Sequence, residues 1–198
     1  MSGIAGLASW GGHPVDPEWI HRAADFMAMR GPDGRQVWIG ESAVLAHALL
    51  RTTSESARER QPLSFEGQVW LAADARIDAR DDLIGPLRNA GRSVPHDVSD
   101  ADLILHAYHA WGEGCVTRLA GDFAFAIWDN RRRLLLCARD QFGLKPLYYS
   151  HKGDLVVFSN TSGCVLMHPD VSQRIDRLAL ADFLMFGYYP DLTETAYK

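Results

Sequence analysis

The chain has 198 residues, of which 47% are hydrophobic, and a formal net charge of −5, which suits one large domain or two small ones around a sizeable core. The acidic balance excludes the basic footprint of a nucleic-acid binder, and no apolar run approaches the roughly 18 residues of a spanning helix. Neither nucleic acid nor membrane is therefore expected as a partner. "MSGIAGL" lacks a basic start and a cleavage pattern, so the default expectation is a cytoplasmic protein without a leader.

Ile4, Ala5 and Leu7 with Gly3 and Gly6 predict a first strand among close-packed neighbours. "GGHPVDP" is a turn, and Ile20, Ala24, Met27 and Ala28 give helical spacing over Pro17 to Met29. "RGPDG" at 30 to 34 then reads as a reverse turn. Extended runs follow at Gln36 to Ile39, Ala43 to Leu50 and Val69 to Ile77, with polar "TTSESARERQ" joining the last two. Helices are expected over Ala79 to Ala90, although Gly85 and Pro86 interrupt it, and over Ser99 to Trp111, where Ser99 can cap and Asp102 can reach back. "GDFAFAIWD" is apolar on both faces and predicts a strand buried on both sides. Arg131 to Arg133 read as a turn into a partner strand, "PLYYSH" and "DLVVFS" as a hairpin, and Ser162 to Met167 and Ile175 to Phe186 as helices. Elements in blocks rather than strict alternation argue against a doubly wound parallel sheet and for two packed sheets covered by helices.

Cys115, Cys137 and Cys164 are widely spaced without a CxxC pair, which points to buried thiols rather than a disulfide framework or a zinc site. His106 and His109 share a helix face without a third ligand nearby, a pattern of ordinary packing. No metal or other cofactor is expected in this chain.

"RGPDG" at 30 to 34, "SDAD" at 99 to 102, "GDFAFAIWD" at 121 to 129 and "RDQFGLKPLYY" at 139 to 149 together resemble the class II glutamine amidotransferase domain, in the order found in the amino-terminal half of asparagine synthetases. The resemblance runs from Met1 to about Tyr189. It implies an α+β fold, the four-layer αββα sandwich of N-terminal nucleophile hydrolases, with two antiparallel sheets between helical layers. It also implies chemistry: glutamine is hydrolysed by a cysteine exposed at the amino terminus when methionine is removed, its own α-amino group acting as base, and ammonia passes to a second domain.

Carried onto this sequence, the pattern departs from the family at the site. The nucleophile position holds Ser2, the oxyanion pair Asn-Gly falls on Asp74 and Ala75, and the arginine that clamps the substrate carboxylate falls on Leu49. Arg51 lies two residues on, by strand alternation on the same face, and Asp100, in the position that holds the substrate amino group, is retained. An alcohol leans harder than a thiol on its base and its oxyanion donors. A carboxylate at 74 accepts rather than donates, and Ala75 adds a methyl group where glycine lets backbone approach. The expectation is a silent glutaminase.

The departures resemble a divergent branch of the asparagine synthetase family that includes lasso-peptide cyclases and β-lactam synthetases. The implied role is a structural or docking domain for an ATP-dependent synthetase domain supplied in cis or trans, with residues 190 to 198 as the lead-in. ATP and magnesium belong to that absent domain, since "NTSGCVL" at 160 to 166 lacks the residues of its ATP loop. The chain is accordingly expected to be a fragment or a short product whose partner lies elsewhere. Two alternatives stay open: Ser2 as a working nucleophile supplying ammonia for asparagine synthesis, and a module in which Arg51 and Asp100 hold glutamine or another small amino acid. A homodimer also stays open. The segments 30 to 34 and 139 to 149 are expected to hold the scaffold rather than touch a ligand.

Overall fold

A computed structural model describes residues 1–12, 15–53, 56, 59–95, 97–189 and 195–197. The first strand, β1 (Gly3–Ser9), pairs on one side with β3 (Ala43–Leu49) and on the other with β8 (Leu155–Ser159). With β2 (Gly34–Ile39) and β7 (Tyr148–Lys152) outside them, these form a five-stranded antiparallel sheet ordered β2-β3-β1-β8-β7. A second antiparallel sheet has the order β4-β5-β6, from β4 (Val69–Ile77), β5 (Gly121–Asp129) and β6 (Leu134–Arg139).

Strand alternation assembles the layers. Ala5 and Leu7 of β1 and Val44, Ala46 and Ala48 of β3 pack against Trp19, Ile20 and Ala23 of α1 (Pro17–Phe26), with Cys164 and Val165 of α4 (Ser162–Leu166) alongside. The opposite face, through Ile4, Leu45 and Phe158, meets Ala72, Ala124 and Ala126 of the three-stranded sheet. That sheet turns Leu71, Phe123, Phe125 and Ile127 outward onto Leu83 and Leu87 of α2 (Arg80–Asn89) and Leu103, Ile104 and Ala107 of α3 (Asp100–Trp111). The result is the expected αββα sandwich. Gly6 makes room within the five-stranded sheet: a Cβ there would strike the Phe158 ring of β8 and the Val44 carbonyl of β3. Trp38 and Trp70 stack across the gap at 4.8 Å, closing it at one end.

Local signals set the helix ends. Asp16 accepts from the backbone N–H groups of Glu18 (2.9 Å) and Trp19 (3.1 Å), and Pro17 occupies the first turn of α1. Ser99 accepts from the Asp102 N–H at 3.1 Å and donates its hydroxyl to the Asp102 carboxylate at 2.6 Å, the reciprocal cap foreseen for α3. The helix over 17 to 29 is shorter than expected, because its last turn tightens to 3-10 form at Met27–Met29. A second 3-10 turn, Gly112–Arg118, had no sequence signal. The helix α5 (Arg177–Phe186) buries only Ala179.

Two of the three thiols are buried, but Cys137 is exposed on the edge strand β6, where one flank has no neighbouring strand. Phe65 packs on His106 and His109 at ring distances of 4.6 and 5.7 Å. No group of side chains among the described residues has the makings of a metal site, and no helix among them is long and apolar enough to cross a membrane. Most of the lead-in at 190 to 198 lies outside the described residues; within it, Tyr197 pairs with Ile175.

Candidate active site

The pairing of Gly3 with Ala48 brings Ser2 to the end of β3, and the alternation that turns Ala72 toward the other sheet also turns Asp74 inward, beneath Ser2. The two meet. The Ser2 backbone N–H donates to Asp74 Oδ1 at 3.2 Å, and the Ser2 hydroxyl accepts from the Leu50 N–H at 3.1 Å. Ser2 is 8% exposed and Asp74 5%.

Two residues fix this pair. Lys145 places its ammonium 3.1 Å from Asp74 Oδ1, an ion pair with both side chains mostly withdrawn from water. Asn160 follows β8. Its side chain accepts from the Ile4 N–H at 3.0 Å, donates to the Ser2 carbonyl at 2.8 Å and approaches Asp74 Oδ2 at 3.5 Å. Lys145 is itself delivered by a loop wound on Asp140, whose carboxylate accepts from the N–H groups of Phe142, Leu144 and Lys145. Burial pushes the Asp140 carboxyl up, but those N–H groups hold it below the usual range.

Behind Asp74, the open edge of β4 is filled by the Gln61 side chain. Its amide donates to the Ala73 carbonyl at 3.0 Å, and its oxygen accepts from the Ala73 N–H at 2.6 Å, as a neighbouring peptide would. His47 Nε2 donates to the same carbonyl at 3.0 Å, and burial pushes this imidazole down to about 4, so it is neutral at physiological pH. Glu59, bonded to Gln61 at 2.6 Å, has its carboxyl pushed up by burial, which the Gln61 hydrogen bond opposes and the charges of Asp100, Asp102 and Asp74 reinforce.

The remaining positions are engaged elsewhere. Leu49 is buried at the end of β3. The alternation argument stops there: β3 ends at Leu49, and Arg51 is exposed, its N–H held by Asp33 Oδ2 at 2.7 Å and its guanidinium near the Asp33 carbonyl. Asp100 is paired with Arg80, which also donates to the Val98 carbonyl. Ala75 is half-buried in β4 opposite Phe123.

The structure thus brings Ser2 and Asp74 together, and it leaves Arg51 and Asp100 each in a partnership of its own. Asp33 of "RGPDG" holds the Arg51 N–H, and Lys145 of "RDQFGLKPLYY" pairs with Asp74, so the second of these scaffold segments reaches the site. Lys145, Asn160, Gln61 and Arg80 were not foreseen. Lys145 alone lay inside a motif that sequence could flag.

Two antiparallel sheets between helices, with residue 2 at the head of the central strand β1 beside an inward-facing polar residue of the opposite sheet, match the architecture of the N-terminal nucleophile amidotransferases. Solved structures agree. A glutamine phosphoribosylpyrophosphate amidotransferase from B. subtilis matches with a TM-score of 0.64 at 19% identity, over 82% of this chain and 42% of that one. An allosteric regulatory enzyme of purine biosynthesis gives 0.66 at 19% identity over the same shares.

The sequence model of the glutamine amidotransferase domain matches residues 1–198. Asparagine synthetase [glutamine-hydrolyzing] 3 of Bacillus subtilis is 33% identical over 196 residues, 98% of this chain and 31% of the relative. A putative asparagine synthetase [glutamine-hydrolyzing] of Mycobacterium bovis is 30% identical over 87% of this chain and 28% of its own length. The chain belongs to the class II glutamine amidotransferase domains of the asparagine synthetase family. It spans about a third of the length of these curated relatives.

Proposed function

We propose that this chain is the amidotransferase-type domain of an asparagine-synthetase-like, ATP-dependent amide ligase, with glutamine hydrolysis lost and the fold retained for structure and docking. One observation carries the reading: the Asp74 carboxylate lies 3.2 Å from the Ser2 nitrogen, where amide cleavage requires donors toward the developing oxyanion. An ionised carboxylate offers none. Lys145 neutralises that charge through one of its three ammonium N–H groups, held on Asp74 Oδ1 at 3.1 Å.

The docking role is supported by the terminal helix. Leu184 and Met185 are 75% and 76% exposed, with Phe186 and Tyr188 also bare. Such an apolar strip matches a surface covered by a partner domain. That domain is the synthetase half, in cis or trans, and ATP and magnesium are its cofactors. A cytoplasmic setting goes with this role.

The serine-nucleophile reading has support in the burial of Ser2 and in the Leu50 N–H that fixes its hydroxyl. An electrophilic glutamine analogue, such as a diazoketone, separates the two. The expected intact mass is unchanged after prolonged incubation; a single adduct mapped to Ser2 overturns the silent-site reading. The amino-acid module is less favoured, since Asp100 already pairs with Arg80 and Arg51 lies exposed beyond the end of β3.

A further inference from the structure

The Ser2 nitrogen and the Lys145 ammonium both meet the same oxygen, Asp74 Oδ1, at 3.2 and 3.1 Å. Asn160 holds the Ser2 carbonyl at 2.8 Å, so the residue cannot swing away from the carboxylate without breaking that bond. With Met1 attached, the Ser2 nitrogen is an amide and donates one neutral hydrogen bond. Once Met1 is removed, the same nitrogen is an α-amine that can take up a proton. An opposite charge at hydrogen-bond distance favours the charged form of a titrating group. A protonated amine has no lone pair with which to take the proton from the serine hydroxyl.

We propose that Asp74 is a positioning residue that locks the amino-terminal amine of the Met1-free chain as an ammonium ion and so disables the base a residue-2 nucleophile needs. The inference deepens the silent-glutaminase reading and rests on it, adding a second reason for silence besides the missing oxyanion donor. Lys145 works against the lock, because its own positive charge faces the amine across Asp74. The two residues therefore act with opposite signs. Among the described residues, the charged groups around the amine are Asp74 from β4 and Lys145 from the loop before β7. Glu59 follows from the β3–β4 connection, within Coulombic reach of Asp74 and of Asp100 and Asp102 on α3, and Arg80 on α2 is bound to Asp100. Asn160, beside them, is neutral.

The test is the titration of the α-amine by nitrogen-15 NMR, in protein made to begin at Ser2 by cleavage of an amino-terminal fusion. An ordinary α-amine titrates at roughly 7.7–8.0. The expected result is a clearly higher value in the parent chain. Asp74→Asn, which preserves shape, should raise the proton dissociation constant at least about tenfold, and Lys145→Met should lower it. An amine in the parent chain that titrates in the ordinary range and does not respond to Asp74→Asn overturns the inference. Ammonia release from glutamine by the same samples is scored separately: release with a high amine value sinks both the silent-site reading and the claim that the lock disables the base, leaving only the ion pair, whereas an ordinary amine value without release overturns the lock and leaves the silent-site reading standing.

Discussion

A variant carrying Ser2→Cys, Leu49→Arg, Asp74→Asn and Ala75→Gly together is expected to release ammonia from glutamine about ten-thousandfold faster than one carrying Ser2→Cys alone. Ser2→Cys supplies a nucleophile that is a few per cent ionised at neutral pH, but leaves the tetrahedral intermediate facing a carboxylate. Each restored oxyanion donor is worth about a hundred- to a thousandfold. In Asp74→Asn the new amide oxygen takes the place of Oδ1, where the Ser2 N–H and Lys145 both donate. The amide N–H group then replaces Oδ2, and the Asn160 amide 3.5 Å from that position must turn its own donor aside. Ala75→Gly removes the methyl group that holds substrate off the backbone. Leu49→Arg supplies the carboxylate clamp, and its effect should appear mainly in KM. Steady-state ammonia assays on the single and combined variants check this. A combined variant no faster than Ser2→Cys alone would place the cause of silence outside this pocket.

The largest effect on folding is expected from Trp19→Ala. Trp19 is fully buried between α1 and the five-stranded sheet, it packs edge-on to His168 at 5.5 Å, and its indole N–H donates to the Cys164 carbonyl at 3.3 Å. Truncation leaves a large cavity and an orphaned carbonyl, at a cost of about 3–5 kcal/mol. In a chain of this length that corresponds to a fall in Tm on the order of 10 °C. Thermal unfolding by circular dichroism measures it, and a change of only one or two degrees would contradict the packing of α1 described above.

How much of this was legible in the sequence depends on the range of the interaction. β4 ran from Val69 to Ile77 as its pattern predicted, and "GDFAFAIWD" was buried on both faces because it lies between a sheet and a helix layer. Ser99 and Asp102 capped α3 because that motif is complete within four residues. Pro86 was tolerated in α2, a short helix with Leu83, Ile84 and Leu87 buried. The position of Arg51 was misjudged because period-two alternation holds only while a strand continues, and β3 ends two residues earlier. Asn160, Gln61 and Lys145 were invisible for a different reason. They act on Ser2 and β4 across 158, 12 and 71 residues respectively, through strand order and loop closure that no local pattern encodes.

The departures at Ser2, Leu49, Asp74 and Ala75 were visible only because a family resemblance said where to look. Geometry adds what resemblance could not: Asp74 is not merely a missing amide but a carboxylate already committed to Ser2, Lys145 and Asn160.

The most direct measurement is ammonia release from glutamine by the purified Met1-free chain, run beside Ser2→Ala under the same conditions. The account predicts that both proteins stay at the no-enzyme rate. A parent rate above that baseline which disappears in Ser2→Ala would contradict it.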